Sequence, residues 1–234
     1  MSVGQARGLG CVLLAMSAAG VAQQPGQSPS SSSKHTKSSP ARLLPDIGSG
    51  TVANGVYRNR ALALSCKIPA GWVLRTDEMN TREEGTDSEN SSNAKSSPQG
   101  TQGSGGQNGG GRVLLAAFSR PPEAKGEDVN SSLVIAAEPV AAYPGLREAS
   151  QYLGALTEVA KAQGFSVDDE PYEIQIGTKV VVRGDFHKDI GSRVMRQSTL
   201  VFLAQAYAVS ITVIAGTQDD VEELVDGVSF GAGK

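Results

Sequence analysis

Little in this chain resembles a catalytic apparatus. Its 234 residues include two cysteines, two histidines and one tryptophan, and aromatic residues make up only 5%. Zinc sites built from several Cys or His side chains are thereby excluded, as are disulfide scaffolds. No Gly-x-Ser-x-Gly elbow occurs, so the nucleophile arrangement of the α/β-hydrolases is missing as well. Charge of one sign is also lacking. Lys and Arg number 21 against 24 Asp and Glu, a net of 21 − 24 = −3, where a nucleic-acid binder would show a basic patch or stripe. No apolar run approaches the roughly 20 residues that a membrane-spanning helix needs.

What stands at the N-terminus instead is the pattern of a secretory signal. Arg7 supplies a positive start, Cys11 to Ala19 a short apolar stretch, and Gly20-Val21-Ala22 the small residues of a cleavage site. Residues 1–22 are therefore expected to be a cleaved signal, and the mature protein periplasmic or secreted. Leu9-Gly10-Cys11 resembles a lipidation box, but its cysteine precedes the apolar stretch it should follow. Cys66 then remains as a lone thiol in an apolar segment, and burial is the expected fate of such a residue.

Composition divides the rest. Residues 23–49 are rich in Ser, Pro and Gln and are expected to be a disordered tail. A second such region is expected at about 76–111, acidic at its start and glycine-rich at its end. That glycine run lacks the Lys-Ser/Thr and the following helix of a phosphate loop, because Arg112 to Phe118 reads as a strand. It reads as a flexible insertion.

The expected single domain spans residues 50–230. Val52 to Tyr57 and Ala61 to Ile68 suggest a strand pair, closed by Pro69-Ala70-Gly71 before Trp72, a residue expected in the core. Strands follow at Val113 to Phe118 and Ser132 to Ala137. Over Arg147 to Gln163 the period changes: Ala149, Tyr152, Leu153, Leu156, Val159 and Ala160 share one helical face, with Gly164 as a stop. Phe165 to Val167, Tyr172 to Ile176, Lys179 to Phe186, Arg193 to Leu203 and Tyr207 to Ala215 read as strands of an antiparallel meander. Thr217 to Asp220 resembles a capping box, opening a last helix with Val221, Leu224, Val225 and Val228 on its apolar face. The fold class is α+β, a mostly antiparallel sheet flanked by helices.

Candidate chemistry is sparse. Arg183, Asp185, His187 and Asp189 alternate along one strand and so share a face. Asp185, His187 and Asp189 form a weak candidate metal row, but strand neighbours on one face stand about 6–7 Å apart, wide for joint ligation. A solvated charge ladder reaching Arg193 and Arg196 accounts for the same residues. Asp168, Asp169 and Glu170 read as a polar turn before Pro171. Asn90-Ser91-Ser92 and Asn130-Ser131-Ser132 match the N-glycosylation pattern. No catalytic residue, metal or cofactor is expected.

The entry into the domain, Tyr57-x-Asn59…Leu64-Ser65-x-x-Ile68-Pro69-x-Gly71-Trp72, and the order of elements after it resemble the PsbP-like family, which includes the extrinsic photosystem proteins. The resemblance covers about Val52 to Phe230. It implies an α/β/α sandwich serving as a noncatalytic binding or assembly module, with a protein or envelope component as partner. No functional residue carries over, because no binding motif of the photosynthetic members matches position by position. Two alternatives of other classes remain: a carrier enclosing an apolar ligand between the Tyr152/Leu156/Val159 face and the sheet, and a metal-dependent enzyme using Asp185, His187 and Asp189.

Overall fold

The computed structural model describes residues 44–86, 111–124, 126 and 128–231. The expected signal, the tail up to residue 43, Cys11, His35, the sequon at Asn90 and the glycine run up to residue 110 lie outside them. Where the tail was expected to reach residue 49, the described arm from Leu44 is held onto the domain. Ile47 is buried, and the Asn59 side chain donates to its carbonyl at 3.0 Å while accepting from the Leu62 amide at 3.0 Å. Tyr57 adds a hydrogen bond to the Ser49 carbonyl at 3.0 Å. Both Tyr57 and Asn59 belong to the motif that prompted the family resemblance, and both have this anchoring role.

The expected first strand, Val52 to Tyr57, is two. β1 (Thr51–Ala53) turns back into β2 (Val56–Asn59) through Asn54 and Gly55, whose φ angles of +50° and +69° suit the two central residues of a tight hairpin. β3 (Leu64–Lys67) pairs with β2, and β12 (Val228–Phe230) pairs with β3, giving a separate four-stranded sheet in the order β1-β2-β3-β12. Val228, expected on the last helix, thus belongs to a strand. The single expected sheet is in fact two.

The larger sheet has eight antiparallel strands. β4 (Val73–Leu74), β5 (Arg112–Phe118) and β6 (Ser132–Pro139) lead to β11 (Tyr207–Ala215), β10 (Arg193–Ala204) and β9 (Lys179–Ile190), with β7 (Ser166–Val167) and β8 (Tyr172–Ile176) both paired to β9. The expected meander holds from β8 to β11, after which β11 pairs back to β6.

Three α-helices accompany the sheets among the described residues, making the fold α+β. The first, α1 (Thr76–Thr86), occupies the start of the expected insertion. Its sequence is not amphipathic, so a helical period gives no warning of it; polar side chains attach it instead. Beyond the short β4, the edge of β5 is met by Thr76, whose hydroxyl accepts from the Ala116 amide, and by Asn80, which both donates to and accepts from the Val113 backbone at 3.0 and 2.9 Å. Side chains thereby substitute for a neighbouring strand and close an otherwise open edge.

α2 (Ala149–Ala162) begins where Gln151 accepts from the Arg147 and Glu148 amides and stops at Gly164, with φ of +86°. Tyr152 and Leu153 pack with Val182, Val201 and Ala208. α3 (Gln218–Asp226) starts with the Thr217 hydroxyl accepting from the Asp220 amide; the acid at the third position receives the hydroxyl instead of completing a reciprocal box. Val221, Leu224 and Val225 of α3 join the main core with Leu64, Cys66, Val181, Leu200, Phe202 and Ile211. Because Val181 and Val182 are adjacent in β9 and alternate in direction, these two clusters lie on opposite faces of the large sheet.

Candidate functional site

The row on β9 is the first place to look for chemistry, and its members go to separate partners. Arg183 is buried and forms a two-pronged ion pair with Glu222 of α3, at 2.9 and 2.5 Å, while its Nε donates to Asp185 at 3.0 Å. Asp185 also accepts from the Tyr172 hydroxyl at 2.9 Å. His187 Nδ1 meets Asp168, which lies 3.9 Å from Arg196, and Asp189 is exposed. Among the described residues no group of three or more His, Cys, Asp or Glu side chains is placed to hold a metal ion. Arg196 stands directly opposite His187, as the charge ladder expected from sequence has it, and its ion pair is with Asp168; Arg193 stands opposite Ile190.

Electrostatics here serve to attach α3. The hydrogen bond from Arg183 holds the Glu222 carboxyl below its ordinary range, Gln218 adding to the effect. Burial, with the bond to Asp185, pushes Tyr172 up to about 12. Sequence reasoning missed Glu222, because a contact between positions 183 and 222 leaves no trace in local spacing. The acids of the expected polar turn are at the surface, with Asp168 engaged as described.

The space between α2 and the sheet, where a carrier's ligand was expected, is filled. Tyr152 and Leu153 are buried there, and Tyr143 stacks edge-on against Tyr152 with ring centres 5.3 Å apart. The second sequon is occupied too: Asn130 accepts from Ser119 and the Arg120 amide and donates to the Arg120 carbonyl, holding the β5–β6 connection.

The concave surface lies elsewhere, at the Ile-Pro-x-Gly-Trp turn. An open groove of about 660 Å³ is lined by Val52, Val56, Ile68, Pro69, Trp72 and Leu74, with Asn54 and Lys67 as its polar side chains. It is a surface trough rather than an enclosed ligand chamber. The turn creates it: Trp72 donates its amide to the Pro69 carbonyl at 3.4 Å, and Gly71 takes a φ of +82°, the value required at the third position of a type II turn. The chain thereby leaves the small sheet at β3 and enters the large one at β4, and the groove is the gap beside that crossing. Trp72, expected in the core, packs against it on one side and lines the groove on the other. Val52 and Leu74, 42% and 43% exposed, lie together on its wall. A smaller hollow of about 310 Å³ shares Lys67, Ile68 and Pro69 and is bounded by Glu223, Leu224 and Asp226 of α3.

No helix among the described residues is long and apolar enough to cross a membrane. No family model and no curated protein matches the chain. Solved structures that resemble it include LpqN, a protein involved in cell envelope biogenesis of Mycobacterium tuberculosis, at 10% identity and a TM-score of 0.33 over 71% of this chain and 82% of that one. Another, from Bacteroides thetaiotaomicron, has 12% identity and the same TM-score of 0.33, over 72% of this chain and 45% of that one.

Proposed function

We propose that this chain is an exported, noncatalytic binding module of the cell envelope, built as a PsbP-like α/β/α sandwich, whose docking surface is the groove at Ile68-Pro69-x-Gly71-Trp72. The observation that carries this reading is the groove, which gathers Val52, Ile68, Pro69 and Leu74 in one trough around a half-buried tryptophan. Apolar clusters on both faces of the large sheet support the sandwich layering. The export pattern of residues 1–22 supports the location, and the pairing of Arg183, Asp185 and His187 with separate partners supports a structural role for those three residues. The partner is a protein or envelope component rather than a small apolar molecule, since the groove is an open trough rather than an enclosed chamber.

The test is recovery of the partner set by cross-linking the mature protein in its native envelope. Val52→Glu places a charge on an exposed groove position and is expected to abolish that recovery, whereas Val180→Glu, on the exposed far strand β9, leaves it intact. Equal loss from both variants, or loss only from Val180→Glu, overturns the docking surface.

A further inference from the structure

Building on the binding-module reading, we infer that the groove takes an extended, acidic segment of a protein partner, added as a fifth strand along the outer edge of β1. Three observations converge on this chemistry.

The first is a contrast between edges. On the large sheet the edge of β5 is closed by α1 through Thr76 and Asn80. β1 is the terminal strand of the small sheet, no strand lies beyond it among the described residues, and Thr51, Val52 and Ala53 are all exposed. An edge left open in this way presents free backbone donors and acceptors to an incoming strand.

The second is the lining. Val52 of β1 is itself part of the groove wall, so a strand laid along β1 runs beside Trp72 and Leu74. Alternate side chains of a strand point the same way, at about 6–7 Å spacing, so every second residue of the partner enters the trough. Those residues are apolar, to match Val52, Ile68 and Trp72.

Charge supplies the third. From Ile47 to Thr76 the chain contains Arg58, Arg60, Lys67 and Arg75 and no Asp or Glu, although the whole chain is net negative. Arg75 is paired with Glu78 and Glu123. Arg58, Arg60 and Lys67 are exposed without an ion-pair partner among the described residues, Arg58 standing opposite Thr51 of β1 and Lys67 lining the groove. The acids Glu223 and Asp226 border only the smaller hollow beyond Lys67. Negative charge on the partner is therefore favoured on the β1 side.

Trp72 is the single tryptophan of the chain, so its emission reports occupancy directly. The full mature chain is titrated with an alternating Val/Glu octapeptide, its Val/Lys counterpart, a Val/Glu version N-methylated at alternate amides, and phosphatidylglycerol vesicles. The Val/Glu peptide is expected to shift Trp72 emission saturably, and the N-methylated and Val/Lys peptides to bind at least about tenfold more weakly. The double variant Arg58→Glu/Lys67→Glu, at exposed positions, is expected to favour Val/Lys. Equal binding of Val/Glu and Val/Lys, or undiminished binding of the N-methylated peptide, overturns the partner chemistry and leaves the groove as a docking surface. Response to the vesicles alone overturns it in favour of a lipid face. No response to any probe overturns it as well, and the docking surface itself then stands or falls on partner recovery with Val52→Glu.

Discussion

Three asparagines do work that secondary structure would otherwise do. Asn59 fixes the Ile47 arm, Asn80 substitutes for a strand beside β5, and Asn130 bridges the β5–β6 connection, each both donating and accepting through its amide. Replacing Asn59, the most buried of them, by Ala leaves the Leu62 amide without its acceptor, and the expected loss is about 1–3 kcal/mol. A urea unfolding midpoint, compared at equal slope, measures it. Cys66 gives a second residue-scale prediction. Burial pushes its thiol up to about 12, so the reactive thiolate is scarce at neutral pH. Iodoacetamide at pH 8 is expected to leave the folded chain unlabelled at Cys66 and to label it once urea unfolds it; prompt labelling of the native protein would show that the thiol is accessible. Its burial was legible in sequence, from an apolar setting. The anchoring roles of the asparagines were not, because each partner lies 3 to 33 positions away and nothing in the asparagine itself points to it.

Elements show where local signals suffice. α2 was legible because its apolar residues recur at helical spacing and Gly164 ends it, and α3 because Thr217 opens it. The Asn54-Gly55 hairpin was equally readable, being the strongest short-range turn signal, yet the flanking run of β-favouring residues concealed it. α1 was not readable at all: its attachment runs through side-chain bonds to β5, which composition does not reveal. The ion pair of α3 gives this scale its prediction. With the Glu222 carboxyl held below its ordinary value by Arg183, the folded chain binds that proton less readily than the unfolded one. Its stabilising contribution is present above the unfolded Glu value of about 4.3 and is lost as pH falls through the lower folded value. Glu222→Gln is expected to lower the melting temperature at pH 7, the gap to wild type closing as pH falls below about 4. A gap that stays constant across that range would show that the charge of Glu222 is not what holds α3.

At the scale of the whole molecule, the separation of β1, β2, β3 and β12 from the larger sheet is what creates the groove. That separation rests on the pairing of β3 with β12 across most of the chain, a contact that no periodicity records. The residues of the Ile-Pro-x-Gly-Trp turn were visible in sequence as a motif, but not their position at the crossing between two sheets, and so Trp72 reads as core until its neighbours are known. The β9 row illustrates the converse: alternation placed Asp185, His187 and Asp189 on one face, while Glu222, Asp168 and Tyr172, which determine what those charges do, arrive from other elements. Hydrogen exchange of the full chain, free and bound to the partner that cross-linking recovers, tests the central claim most directly. Slowed exchange confined to residues 51–53 and 72–74 is the predicted result. Slowing along β8 and β9 or over α2, with the groove unchanged, would contradict it.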